Sequence, residues 1–316
     1  MLFSCIIGLF SFALMILFVV FNQNCLLETR NALNMFLNSV FPTMFPFYVL
    51  TAILTSNPLL SKISKHFTPF SHLYKLPAES LTAILLGFLC GFPVGAKVTC
   101  DLYKNNLISK KEAALLASFT NNAGPVYVIT IIGRLYLNST MLGLLLWLCL
   151  VFSSLISGLF LCKIFLKETQ IQNFTTAKSY TESTLISAVM SGLNTAMYVG
   201  AVIVFFASVT SILKRIPFLT KSAYTAIYSI TELTGGLNVL AEFLFAENTN
   251  LAFPIKMAVI TAVTGWSGFC VHLQVCGILK NTDVKTNYYF IGKLLQSCLA
   301  FILSLAVFSF LKIQFT

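Results

Sequence analysis

Four apolar segments of this chain are each interrupted near the middle by glycine, proline or an amide, and no other feature restricts the fold as much. The segments are ESLTAILLGFLCGFPVGAKVTCDLYKN (79–105), KKEAALLASFTNNAGPVYVITIIGR (110–134), SAYTAIYSITELTGGLNVLAEFLF (222–245) and FPIKMAVITAVTGWSGFCVHLQVCGIL (253–279). Each is long enough for a membrane span or a helical hairpin. A break frees backbone N–H and C=O groups, and in hydrocarbon each unpaired group costs several kcal/mol. The breaks must therefore face protein or a wet cavity.

Uninterrupted apolar runs near 33–55, 139–162, 186–213 and 287–311 read as ordinary spans. The N-terminal run MLFSCIIGLFSFALMILFVVF has no basic stretch before it and no small-residue cleavage site, so it reads as a retained helix. With 57% hydrophobic and 9% charged residues, the chain has too little polar surface to cover a soluble globule. The expected class is an all-α polytopic membrane protein in contact with the lipid bilayer. The net charge of +10 comes from lysines scattered over short loops, without a basic face or aromatic interleaving. That distribution points to membrane topology and away from nucleic acid. Nine cysteines lie mostly inside apolar segments without a C-x-x-C pair. They read as buried small hydrophobes, and neither a disulfide framework, a metal site nor a cofactor is expected.

The broken segments fall into two pairs. Shifting the first half by 144 positions places Gly91 on Gly235, Gly124 on Gly268 and Gly133 on Gly277. Chance predicts fewer than one such match at a given offset. This division gives an N-terminal transmembrane helix (1–24), a first repeat (25–165), a cytoplasmic linker (166–185) and a second repeat (186–316). If 79–105 and 222–245 enter and leave on one face, the 18 outer-loop Lys and Arg divide 11 against 7; if both cross, they divide 9 against 9. The richer side holds Lys62, Lys65, Lys75, Lys104, Lys110, Lys111, Lys163, Lys167, Lys178, Lys280 and Lys285. The positive-inside rule prefers re-entrant hairpins. Seven crossings then follow, with a cytoplasmic N-terminus and the second unit inverted relative to the first. The expected fold is two inverted repeats, each with a re-entrant hairpin and a broken transmembrane helix. Gly91, Pro93 and Gly95 would turn the first hairpin and Gly235–Gly236 the second; Gly124–Pro125 and Gly268 would mark the breaks.

Inverted units with discontinuous helices are the common plan of secondary transporters. Glycines that merely allow close helix packing would leave unexplained why polar residues gather at these breaks. Lys97 follows the first turn, Asn121 and Asn122 precede Gly124, Glu232 and Asn238 flank Gly235–Gly236, and Ser267, His272 and Gln274 surround the last break. These are the candidate binding residues for a small polar solute or ion. The half-helices beginning after Gly124–Pro125 and Gly268 present free N–H groups and positive dipole ends. Lys97 and Glu232 are expected to compensate one another or share one polar site. Gly265-Trp266-Ser267-Gly268 fits the G-x-S-G pattern of intramembrane serine proteases, yet His272 lies five residues away across a break. A nucleophile–base dyad needs a hydrogen bond that this spacing does not favour, so no enzymatic activity is expected.

GFPVGAK, DLYKNNLISKKEAALLASFTNNAGPVYVI, ITELTGGLNVLA and GWSGFCVHLQV resemble, in that order, signature stretches of the sporulation integral membrane proteins of the Gate, or nucleoside-recognition, family. FPTMFPFYVL (41–50) is similar to the Pro-rich first-repeat helix of the same group. The resemblance covers roughly 33–310. It implies a plasma-membrane protein of endospore-forming bacteria used in making the spore cortex, related to Gate domains of concentrative nucleoside transporters and ferrous-iron permeases. Gly91, Pro93, Gly95, Lys97, Asn121, Asn122, Gly124, Pro125, Glu232, Gly236, His272 and Gln274 stand where it places characteristic residues. G-x-x-x-x-G-K-[ST] is absent, so coupling to GTP is not expected. The expected function is transporter- or permease-like, with a non-transporting scaffold for cortex or envelope assembly as the alternative.

Overall fold

The computed structural model describes residues 2–64, 66, 68–166, 184–215, 219–247, 249–280 and 282–311. Lys65, Lys167, Lys178 and most of the expected 166–185 linker lie outside the described residues. Among those described, every regular element is helical.

Helix α1 (Leu2–Val20) leads into α2 (Asn22–Met35), which continues through a π-helical stretch, Phe36–Val40, into α3 (Phe41–Ser56). The span anticipated near 33–55 thus begins earlier, since helix runs from Cys25 to Ser56 with enough apolar length to cross a bilayer. Two short helices, α4 (Leu59–Ser64) and α5 (Thr68–Leu73), precede a pair, α6 (Ser80–Cys90) and α7 (Val94–Lys104), that pack on each other across a three-residue turn. Next come α8 (Lys110–Thr120), a π-helical segment Val126–Tyr136 and α9 (Thr140–Phe165). The second half contains α10 (Leu185–Leu213), the packed pair α11 (Lys221–Thr231) and α12 (Leu233–Leu244), the interrupted α13 (Phe253–Trp266) and α14 (Gly268–Lys280), and α15 (Asn287–Phe310), with no counterpart of α4 and α5 among the described residues.

Local sequence explains the starts. Ser109 and Glu112 form a reciprocal capping box on α8, with Ser109 N–H donating to Glu112 Oε2 at 2.6 Å and Glu112 N–H to Ser109 Oγ at 3.3 Å. Ser139, Thr184 and Thr220 accept from the N3 amide of α9, α10 and α11. Among the described residues, five helical stretches are long and apolar enough to span: Cys25–Ser56, Thr140–Phe165, Leu185–Leu213, Phe253–Lys280 and Asn287–Phe310. The 29 residues of α10 reach about 43 Å at ~1.5 Å per residue, beyond the roughly 30 Å of bilayer hydrocarbon.

Helix α9 turns bulky apolar residues outward and packs small and polar residues, with leucines, inward. On α9, Phe152, Ile156, Phe160 and Ile164 are exposed, while Ser153, Ser154, Ser157 and Gly158 are buried. That is the arrangement of a helix set in lipid: lipid tails solvate phenylalanine, and small residues let helices approach closely. The molecule is therefore a multi-pass membrane protein with lipid-contacting helices. At its centre lies α8, whose residues Ala113 to Thr120 are all buried and which packs on α7, α9 and α15. Its charged start, Lys110-Lys111-Glu112, lies at the periphery, so its C-terminal end and the break after it fall inside the protein.

Two expected turn positions are corrected. Gly95 lies within α7, not in the turn, where the absence of a Cβ lets the Thr120 carbonyl oxygen approach; an added Cβ would sit 2.0 Å from it. The second hairpin turns at Glu232, while Gly235 and Gly236 fall within α12. A Cβ on Gly236 would meet the α11 backbone at 2.6 Å. These glycines close the helix pair; Glu232 turns it, because its carboxylate satisfies the first amides of α12.

Candidate polar site at the helix breaks

Helix α8 ends because Asn121 adopts an extended conformation (φ −98°, ψ 93°), and residues 121–124 stay non-helical until the π-helical segment begins. The α6–α7 turn seats on this break. Gly91 has φ +81°, a conformation that glycine adopts without strain, and a Cβ there would lie 2.8 Å from the Gly124 nitrogen. The second half repeats the contact. Gly268 has φ +77°, and its virtual Cβ lies 3.2 Å from Leu233 N and 3.3 Å from Thr231 O at the α11–α12 turn. In both halves, then, the hairpin turn abuts the break of the segment that follows it.

A buried hydrogen-bond network crosses the first break. Lys293, on α15 and fully buried, donates from Nζ to the Asn121 carbonyl at 3.0 Å and to Gln296 Oε1 at 2.8 Å. Gln296 Nε2 donates to Asn122 Oδ1 at 2.7 Å, and Asn122 Nδ2 donates to Phe119 O at 2.7 Å and Ser154 Oγ at 3.1 Å. Ser154 donates in turn to the same Phe119 carbonyl. The Phe92 ring lies 5.6 Å from Lys293 Nζ. Among the described residues, no carboxylate pairs with Lys293. Its Nζ is held by a helix-end carbonyl, an amide oxygen and a ring face, at the negative end of the α8 dipole.

Beside this network, two polar groups lack partners. The fully buried Asn121 side chain makes no hydrogen bond through Nδ2 or Oδ1, although it faces the Tyr289 hydroxyl. His272 Nδ1 meets that hydroxyl at 2.8 Å, while its buried Nε2 has no partner. The imidazole is boxed by Trp266, Phe269, Tyr289 and Phe290, with ring centroids 4.3–6.0 Å away. Ser267, left-handed at φ 80°, turns its hydroxyl to the Gly265 and Thr264 carbonyls at 3.2 and 3.4 Å. Gln274 is buried with Nε2 3.5 Å from Cys270 Sγ.

The structure thus brings Asn121, Asn122 and His272 to one place, with Gly124 packed against the hairpin turn, and separates others from it. Lys97 does not meet Glu232: its Nζ lies 2.6 Å from both carboxylate oxygens of Asp101, one turn along α7. Glu232 accepts from Thr234 N at 2.9 Å and Gly235 N at 2.6 Å. The expected Lys97–Glu232 compensation is replaced by two local solutions, an i,i+4 ion pair and an N-cap. Asn238 sits at the exposed face of α12, donating to Glu242 Oε1 at 3.0 Å. Lys97 and Asp101 instead line a cavity of about 510 Å³ between α7, α10 and α14, together with Lys104, Asn194, Thr195 and Tyr198. That volume is in the range of small-molecule sites.

Lys293, Gln296, Tyr289 and Ser154 are absent from the expected set because 287–311 and 139–162 read as plain spans. A signal was present. Tyr289, Lys293, Gln296, Ala300 and Ser304 follow i, i+3/i+4 spacing, so they share one face of α15, and all are buried. A lysine on such a stripe inside an apolar run marks an interior position.

No family model matches the chain, and no solved structure matches it. The chain is similar to the sporulation integral membrane protein YlbJ of Bacillus subtilis (strain 168): 27% identical over 304 residues, covering 86% of this chain and 74% of that protein.

Proposed function

We propose that this protein is a transporter- or permease-like component of the plasma membrane, built from two inverted repeats with re-entrant hairpins at α6–α7 and α11–α12, and that it acts in endospore formation at the cortex stage. The observation that carries the solute-site reading is the unpartnered, fully buried Asn121 amide beside the unpartnered His272 Nε2. A buried polar group without a partner costs about 1–3 kcal/mol, and a passing solute with donors and acceptors offsets that cost. Helix α7 joins this place to the cavity: Phe92, just before it, lies under Lys293, and Lys97, Asp101 and Lys104 farther along it line the cavity. On this reading the cavity is a vestibule on the cytoplasmic side, the N-terminus is cytoplasmic, and the protein is not an enzyme. Sporulation enters through the name of the similar B. subtilis protein, and the permease character through the resemblance to Gate domains.

Reconstituted protein should show saturable, solute-specific flux, and candidate solutes, nucleosides and small anionic metabolites among them, should raise its thermal stability. Asn121→Ala and His272→Ala should remove that stabilisation. Absence of flux and of stabilisation across such a panel would refute transport and leave the scaffold reading, in which the breaks shape a docking surface for cortex assembly.

A further inference from the structure

The α8 break has the features by which broken membrane helices hold a monovalent cation: an unwound carbonyl at the C-terminal end of a half-helix, a side-chain amide oxygen and burial away from lipid. Here Asn121 O and Gln296 Oε1 converge at 3.0 and 2.8 Å on one point, and the atom at that point is Lys293 Nζ, delivered from α15 in the other half of the chain. No carboxylate among the described residues accompanies it. A strongly hydrated ammonium without a counter-charge, fully buried in an apolar helix, is an expensive choice if the position served only packing. Gln296 is itself fastened to Asn122 Oδ1 at 2.7 Å, so one acceptor is preset before the cation is considered.

We infer that the α8 break is a monovalent-cation site whose resident ion is the chain's own Lys293 ammonium, so that the protein carries a tethered cation where broken helices of other membrane proteins bind a free one. Under the transport reading given above, on which this second step rests, solute movement then needs no Na⁺ or K⁺ gradient. Lys293 is a positioning residue: it holds the carbonyl end of α8 and the Asn122–Gln296 pair in register.

The test separates the cation site from transport by reading stability of the purified full-length protein. Lys293→Ala should unfold at a lower temperature than the unsubstituted chain. NaCl, KCl, ammonium chloride or methylammonium chloride should raise its melting temperature saturably, by about 2 °C or more, relative to choline chloride at equal ionic strength. The unsubstituted protein should show no such preference, and adding Gln296→Leu to Lys293→Ala should abolish it. Equal responses to small cations and choline in Lys293→Ala, or an equal small-cation preference in the unsubstituted protein, would overturn the assignment. Should Lys293→Ala not fold, Lys293→Arg and Lys293→Met decide: charge retention predicts that Arg is the more stable, and Met equal to or above Arg refutes the tethered cation. A flux assay that fails while the cation response holds would count against transport alone.

Discussion

Replacing Gln296 by leucine perturbs the site at its most connected side chain. Leucine is close to glutamine in volume, so the cavity contribution is small, and the loss is chiefly of hydrogen bonds. Two disappear: one from the Lys293 ammonium at 2.8 Å and one to Asn122 Oδ1 at 2.7 Å. A bond to a charged group contributes about 1.5–3 kcal/mol and a neutral one about 1, whereas measured interhelical bonds within membranes average ~0.6 kcal/mol. The expected destabilisation is therefore about 2–4 kcal/mol, towards the upper end because the Asn121 carbonyl is the one hydrogen bond left to Lys293 among those described, beside the Phe92 ring face. A double-mutant cycle with Asn122→Ala, read by denaturant unfolding in mixed micelles, isolates the shared bond. The double variant should be less destabilised than the sum of the singles by about 0.5–1.5 kcal/mol. Additivity within about 0.3 kcal/mol would refute the idea that Gln296 bridges Lys293 to the break. Gln296→Glu is a sharper control: it gives Lys293 a carboxylate but sets two acceptors against each other at Asn122, so it should not restore full stability.

Gly91→Ala combines a left-handed backbone with a Cβ 2.8 Å from Gly124 N; folded yield should collapse, while Gly8→Ala, with nothing within 4 Å, should change it little. Glu232→Ala removes the α12 cap and should cost about 0.5–2 kcal/mol, whereas Glu232→Asn, which still caps, should retain most of the stability in a thermal melt. Lys97→Met leaves Asp101 nearly buried and unpaired, a loss of about 3 kcal/mol. The swap Lys97→Asp with Asp101→Lys should recover more stability than Lys97→Glu with Glu232→Lys, and the reverse order would contradict the ion pair seen here.

The amino-acid sequence by itself determined the class, five of the seven expected crossings as apolar helical stretches of bilayer length among the described residues, and the places where helices stop. Those follow from local chemistry: apolar runs of bilayer length, Ser109-x-x-Glu112 at a helix start, and Asn121-Asn122-Ala123-Gly124-Pro125 where helix cannot continue. It also pointed to Asn121, Asn122 and His272, since polar residues beside a break inside an apolar segment have few other uses. What belonged to tertiary structure alone was pairing. Lys97 and Glu232 looked like natural partners because they are opposite charges near equivalent turns, but each found a nearer solution on its own helix, and a contact four residues away costs less chain ordering than one 135 positions away. The 144-residue offset fitted the breaks at Gly124 and Gly268, yet the second hairpin turns at Glu232 because a carboxylate at a helix N-terminus satisfies amides that a glycine pair leaves open. Lys293 stayed hidden inside an ordinary-looking span. Its Nζ donates to the Asn121 carbonyl, 172 residues away, and to Gln296, three residues on, which itself donates to Asn122, 174 residues from it; only the packing of α15 against the end of α8 gives the buried amine a place to be.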